Sequence, residues 1–427
     1  MRRGFWKELS TGGTPMNLID EAFEKAKETL RLNLTERGFS AASRCDGEPD
    51  THYKNIWTRD AAITSMWVLP LQDDELTEAA KKSLQTIFDA QTRDGHLPNL
   101  VHAETGEAEY QGIGNIACID GPMWATIALT RYAHVTGDRQ FALDYFDRVH
   151  KSMKWLRSLD SNNCGLLEIP EASDWTDLFP RSFNVLYDEV LWYRANVDFV
   201  ELRNWAGRDP ERYVERSNRV KRIINERFWP SGATAHQTME THWSGRVRLG
   251  RGRYLIAQIT PFGFDWRCDV YGNLLAYMFD VIDDDRATYV WRFLRQVGAD
   301  KPHPIQVLYP VIRPNEARWR DYFLINLLNL PHHYHNGGIW PYVGGLWVRY
   351  LLRLGERTNA EEGLESLAKL NRQGIYHDWE FNEWAHGKTG EVMGRAHQSW
   401  SAASYVAAYL AFRGDTTLRD AQMSVKT

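Results

Sequence analysis

Apolar residues recur along most of this chain at intervals of three and four, the spacing of one helix face. Over residues 16–38 they fall at Leu18, Ala22, Phe23, Ala26, Leu30 and Leu34, a stripe that predicts a helix closed by Gly38. The same period predicts helices over about 58–70, 74–91, 120–136, 138–158, 184–206, 209–228, 266–282, 285–297, 338–354, 359–372 and 396–413. Gly, Pro, Asp and Asn collect between them, as in DGHLPN at 94–99, SNNCG at 161–165 and WPSG at 229–232. Strand-like alternation is scarce; GRVRLGRGRYLI at 245–256 is the best candidate for a small hairpin.

Roughly twelve helices without a low-complexity linker or heptads leave a solenoid, a bundle or a closed double ring of helices. A solenoid needs a repeated consensus, and none is present. Long, Trp-rich connections favour the closed ring, whose loops on one face build a single pocket. One domain over residues 1–427 is expected, with the first ~15 residues as an extension.

Composition narrows the function. Hydrophobic residues make up 43% of the 427 and charged residues 25%, enough for a packed core. Lys+Arg 51 against Asp+Glu 56 gives a formal charge of −5, which argues against a nucleic-acid or anionic-membrane partner. No apolar stretch nears the ~18 residues of a membrane helix, and MRRGFWKELS lacks the apolar region of a signal peptide. Cys45, Cys118, Cys164 and Cys268 lie far apart with no CxxC, so a reduced, cytoplasmic setting is the default. The 18 Trp, 19 Tyr and 17 Phe suit a sugar-binding cleft, because a pyranose presents apolar C–H faces inside a rim of hydroxyls. Large helical cores also use Trp.

Four segments concentrate carboxylates, aromatics and glycine. Tyr53-Lys-Asn-Ile-Trp57-Thr-Arg59-Asp60 precedes a helix; Asp60 reads equally as a cap or, with Trp57 and Arg59, as a stacking platform plus a hydroxyl-binding pair. Ile113–Trp124 runs into a helix at Asp120, where capping is again an alternative. Glu171, Asp174 and Asp177 surround Trp175, and crowded carboxyls raise the pKa of the most buried one, as general-acid work requires. Glu380 and Glu383 lie in a loop before the last helix, where an ionised carboxylate could activate water. Pro331–Pro341 gathers His332, His333 and His335, but without a further partner at definite spacing a polar pocket is the better reading than a metal. There is no Gly-rich phosphate loop and no G-x-S-x-G elbow.

On these residues the chain resembles the alkaline/neutral invertases and their clan relatives, the amylo-α-1,6-glucosidase domain of glycogen debranching enzymes and the mannosylglycerate and glucosylglycerate hydrolases. Ile113–Trp124 resembles I-G-R-V-A-P-V-D-S-G-L-W, with Asp120 and Trp124 on its Asp and Trp. Trp175-Thr-Asp177 matches W-M-D, whose Asp is the family's general acid, which places that role on Asp177 rather than Asp174. Glu383–Gly390 followed by Gly394 is similar to the E-Y-Y-D-G-x-x-G-x-x-x-G segment of the general base, which points to Glu383 rather than Glu380. His335-Asn336-Gly337-Gly-Ile-Trp340-Pro341 matches H-N-G-G-x-W-P, and Gln398-Ser-Trp400 matches Q-[ST]-W.

The resemblance implies an (α/α)6 barrel, an inverting mechanism and no obligatory cofactor. Asp177 would protonate the glycosidic oxygen while Glu383 deprotonates water attacking C1 from the opposite face. Tyr53, Trp57, Arg59 and Asp60 would bind the sugar in the −1 subsite, and Asp120, Trp124, Trp175, Tyr187, Tyr334, His335, Asn336, Gly337, Trp340, Gln398 and Trp400 would complete the pocket. Two departures stand out. Tyr187 replaces a Glu that follows W-M-D in the invertases and debranching relatives, and the E-Y-Y-D turn has become Glu383-Trp-Ala-His386. The arginines of 246–253 read as a solvated basic face sooner than as a seat for an anionic aglycone.

The expected function is therefore an inverting, exo-acting glycoside hydrolase acting on a small α-glucoside: a sucrose-like disaccharide, a glucosyl- or mannosyl-glycerate type solute, or a short α-glucan. A sugar 2-epimerase working through histidines and a non-catalytic sugar-binding toroid are the alternatives. A small carbohydrate is the expected partner, with homo-oligomerisation left open.

Overall fold

A computed structural model describes residues 17–43, 52–230 and 252–414. Its helices are α1 (Leu18–Leu32), α2 (Thr58–Val68), α3 (Asp74–Asp89), α4 (Asp120–Thr136), α5 (Arg139–Asp144), α6 (Phe146–Arg157), α7 (Leu186–Trp205), α8 (Glu211–Ile223), α9 (Val270–Met278), α10 (Asp284–Val297), α11 (Pro341–Arg353), α12 (Arg357–Arg372) and α13 (Ser399–Arg413).

Two kinds of helix follow from two kinds of sequence. In α4 every residue from Asp120 to Ala133 is buried, and in α13 every residue from Ser399 to Ala408. A helix apolar or small on all sides must lie inside. By contrast α3 buries Leu76, Ala79, Ala80, Ser83, Leu84, Ile87 and Phe88, one stripe, and keeps its charged face in water. The inner helices touch in the cyclic order α2, α4, α7, α9, α11, α13 and back to α2. Helices α1, α3, α6, α8, α10 and α12 pack around them, each against inner helices. The fold is an (α/α)6 barrel.

The ring is tight where its residues are small. A Cβ on Gly345 of α11 would stand 2.2 Å from Ser404 Oγ and 2.6 Å from the Ser404 carbonyl oxygen of α13. That seam is close enough for Ser404 Oγ to donate to the Tyr342 carbonyl at 2.6 Å.

Short extended segments lie in the connections that lead into the inner helices, and many of them pair with one another. Residues 56–57, 100–101 and 108–109 form one sheet; 184–185, 256–260, 263–269 and 308–309 form another. Ile339, at the mouth of α11, bridges both Gln306 and Ala385, and Gln398, at the mouth of α13, bridges Ala42. The inner N-termini are thereby gathered on one face, which is where the motif residues lie.

Several expected boundaries move. The first helix ends at Leu32, capped by Asn33, and Gly38 instead serves a two-residue hairpin at φ +118°. The span 138–158 breaks into α5 and α6 at Tyr145. Residues 266–269 belong to a strand, and α9 starts at Val270 because Asp269 accepts from the Gly272 amide as its cap. The expected hairpin at 245–256 lies mostly outside the described residues; the described hairpin spans 256–269. Among the described residues no helix is long and apolar enough to cross a membrane.

Candidate functional site

Arg59, in the first turn of α2, grips Asp120, the first residue of α4, with Nε on Oδ2 at 2.5 Å and Nη2 on Oδ1 at 2.8 Å. Both are buried. A bidentate guanidinium–carboxylate pair is among the stronger polar contacts a protein makes, and it locks two inner helices at the pocket. Tyr187, in the first turn of α7, donates to Asp120 Oδ2 at 2.9 Å and receives the Trp124 indole N–H at 2.8 Å. The N-cap positions fall on Trp57 and Ile119, and Asp60 accepts its own backbone amide within the first turn. Arg59 is thus bonded to Asp120 while its charge also acts on the neighbouring Asp60.

The acidic turn separates into two parts. Asp174 accepts from the Thr176 amide at 2.7 Å and pairs with Arg181, whose other amino group reaches Asp269 at 2.8 Å. It is structural. Asp177 is left over, with no hydrogen bond to its carboxyl among the described residues. Burial raises that carboxyl to about 6, against Arg59 and helped by Asp120 and Asp174.

Glu383 is held from two sides. Tyr53 Oη donates to Oε1 at 2.9 Å and the Arg395 amide to Oε2 at 3.2 Å. Burial raises Glu383 to about 7; these two donors oppose the rise and the charge on Asp177 adds to it. Asp60 is raised to about 7 by burial, with Arg59 opposing and Glu383 and Asp177 adding. The charges on Asp177 and Glu383 thus act on Asp60, and that on Asp177 acts on Glu383, which places the three carboxyls near one another. Asp177 has no donor on its carboxyl among the described residues and Glu383 has two, yet burial leaves Glu383, at about 7, holding its proton to higher pH than Asp177, at about 6. Glu380 is different: burial would raise it, but the amides of Ile375, His377 and Tyr376 more than compensate and hold it below the usual range. It ties a turn.

Beneath the carboxyls lies an aromatic floor. Trp175 meets His335, Trp340, Tyr271, Tyr342 and Tyr187 edge-on or tilted, with ring centroids 4.7 to 6.2 Å away. Trp400 stacks on Tyr342 at 4.2 Å, and His335 on Trp340 at 4.9 Å. Trp57 is half-buried beside Tyr53 at 5.9 Å. Trp124 and Trp175 are buried outright and support the pocket from behind. Tyr334 faces the carboxyls: burial raises its phenol, and Glu383, Tyr53 and Asp177 add to this.

Several of the motif residues carry buried polar atoms without a partner among the described residues. Both amide atoms of Gln398, both ring nitrogens of His335 and the indole N–H groups of Trp175 and Trp400 are such atoms. Burial, then Arg181 and Arg59, keep His335 neutral. Asn336 differs: its amide is taken by Ile312 and Asn329, so it shapes the loop, and Gly337 makes the turn at φ +89°.

One residue escaped the sequence reading. Buried Asn329 donates to the carbonyls of Asp177 at 3.2 Å and Leu178 at 3.1 Å while its Oδ1 accepts the His335 amide at 3.2 Å. It bolts the Asp177 turn to the 332–340 loop. The arginines of 246–251 lie outside the described residues; Arg253 donates to Gln296 at 2.9 Å. Among the described residues no group of His, Cys, Asp or Glu is arranged to hold a metal ion.

Two family models match: a mannosylglycerate hydrolase MGH1-like glycoside hydrolase domain over residues 53–182, and alkaline and neutral invertase over residues 220–413. The chain resembles the invertase-type glycoside hydrolases. The first match carries Arg59, Asp60, Asp120 and Asp177; the second carries the 334–340 loop, Glu383 and Gln398; the Tyr187 segment lies between them. Alkaline/neutral invertase E, chloroplastic, of Arabidopsis thaliana is 24% identical over 355 residues, covering 74% of this chain and 55% of that protein. Cytosolic invertase 1 of Oryza sativa subsp. japonica is 22% identical, covering 73% and 59%. The chain thus spans between half and two thirds of the length of these invertases.

Among solved structures, a GH63 mannosylglycerate hydrolase from Thermus thermophilus in complex with Tris and D-glycerate aligns with TM-score 0.65 at 16% identity, covering 91% of this chain and 100% of that one. A bacterial glucoamylase complexed with acarbose aligns with TM-score 0.61 at 13% identity, covering 94% and 56%. At these identities the likeness is one of fold.

Proposed function

We propose that this invertase-type chain is an inverting, exo-acting glycoside hydrolase that cleaves a small α-glucoside, with Asp177 as general acid and Glu383 as general base. The observation that carries the reading is the asymmetry of the two carboxyls. Among the described residues Asp177 has no hydrogen-bond donor, and burial raises it, so its proton would be available to a glycosidic oxygen. Glu383 takes two donors that favour its anion, so it can receive a proton from water. Bound substrate would have to reverse the order of the two groups, Glu383 at about 7 and Asp177 at about 6, so that Asp177 holds the proton. Arg59, Asp60, Asp120, Gln398 and His335 would take sugar hydroxyls, and Tyr53 would orient Glu383.

The departures from the invertase pattern leave the substrate among sucrose-like disaccharides, glucosyl- and mannosyl-glycerate type solutes and short α-glucans. An epimerase needs a histidine that changes protonation, and His335, packed neutral between Trp175 and Trp340, is poorly suited to it. Anomer-resolved proton NMR against sucrose, glucosylglycerate, mannosylglycerate, trehalose, maltose and isomaltose tests the proposal. β-Glucose or β-mannose appearing first from one α-linked compound is the expected result. First appearance of the α-anomer, or conversion of free glucose to its 2-epimer without hydrolysis, would overturn it.

A further inference from the structure

A second cleft, of about 490 Å³, lies beside the sugar pocket, between the end of α10 and the turn at 387–388. Lys301, Arg313, Lys388 and His332 all line it. Collecting cations in a concave surface is unfavourable unless something answers them. Among the described residues no carboxylate does. Glu316 accepts the Arg313 backbone amide at 3.2 Å, but its ion pair is with Arg267, and Asp300, next to Lys301, is bound to Arg295 at 2.7 Å. Glu391 acts on His386 instead.

His332 makes the same point from the side of a neutral donor. Both its ring nitrogens are buried and without a partner. Burial, with Lys388, His386, Arg313 and His333, drives it down to about 4. The largest electrostatic influences on it, from these four side chains, all disfavour a positive charge on the ring.

The cleft is separate from the sugar pocket but shares a wall with it. The loop 332–337 turns Tyr334 toward Glu383 and Asp177 and leaves His332 on the other side. Its back rests on the cleft: a Cβ on Gly337 would come within 2.5 Å of Val311 Cγ1, which lines the cleft.

We propose that this cleft binds a small phosphate ester, gripped at the phosphate by Lys301, Arg313 and Lys388, with His332 in the cleft wall. Three cations suit a dianion better than a single carboxylate, and phosphate oxygens accept charge-assisted bonds from all of them. The volume far exceeds that of a bare phosphate, whose size is comparable to a few waters of ~30 Å³ each, so room remains for the esterified part. The proposal does not rest on the hydrolase reading.

Isothermal titration calorimetry of the full chain with glycerol 3-phosphate, and in a second arm with inorganic phosphate, tests it. Expected is one saturable site that prefers the ester. Arg313→Glu and Lys388→Glu, both at exposed positions, should each weaken it by about tenfold or more while leaving the melting temperature unchanged. Glucose should not displace the ester. Absence of saturable binding through the millimolar range, equal affinity for inorganic phosphate, binding that survives both charge reversals, or displacement by glucose would each overturn the proposal.

Discussion

Replacing Asp60 with Asn should make the protein more stable, and the gain should depend on pH. Asp60 is buried in the first turn of α2, and its nearest guanidinium, Arg59, is already committed to Asp120. Burial raises its carboxyl from 3.8 to about 7, with Glu383 and Asp177 adding. A carboxyl raised in the native state favours folding below its ordinary value, and that contribution is lost as pH rises through the native one. At ~1.36 kcal/mol per pH unit, the full loss is about 4 kcal/mol. Asn keeps the shape and has nothing to ionise. With an unfolding entropy of ~2.1 cal/mol/K per residue, a 427-residue chain turns 4 kcal/mol into about 4 °C of melting temperature. Calorimetric melts of wild type and Asp60→Asn from about pH 4 to pH 8 should start together and separate steadily, the variant being higher. A gap that is absent or reversed at the alkaline end, or constant across the range, would refute the burial argument. Turnover should fall in the same variant, since the charge that destabilises the fold is one the sugar pocket uses.

Asp177→Asn and Glu383→Gln should each lower kcat by about 10²–10⁴-fold with the fold retained, and the Asp177 variant should recover on a glycosyl fluoride, whose leaving group needs no proton; wild-type kcat in either would remove its assigned role. Tyr53→Phe removes a donor that lowers the pKa of Glu383, so the acidic limb of the kcat/KM profile should move up by about one pH unit; an unmoved limb would mean that Tyr53 does not tune Glu383. Asn329→Ala should cost about tenfold in kcat while binding of the monosaccharide product, measured calorimetrically, stays near wild type, because it loosens the Asp177 turn rather than a sugar contact. Equal losses in both would assign Asn329 to the pocket as a whole.

The helical period made the elements legible, because an all-buried inner helix and a striped outer one leave different patterns, as α13 and α3 do. Closure of the ring was not in the period; it entered through the motif resemblance. Pairings across long separations were also hidden. Arg59 sits beside Asp60 in the chain but bonds Asp120, because both side chains point into the barrel from adjacent inner helices. The crowding of Asp174 and Asp177 was visible, whereas Arg181, which neutralises the first and leaves the second, looked like any turn residue. Asn329 carried no signal at all. A buried asparagine that satisfies loop carbonyls is, in sequence, one more turn-prone residue.

The gathering of the inner N-termini at one face has a consequence for how such a pocket can change. Asp60, Asp120 and Asp188 all stand in first turns, where exposed backbone N–H groups place about half a positive charge per helix. Part of the compensation for the crowded carboxyls is therefore supplied by peptide groups, which no substitution removes. Side chains around the mouth can be exchanged while the backbone potential there stays in place. The barrel acts as a fixed electrostatic mount for interchangeable recognition surfaces.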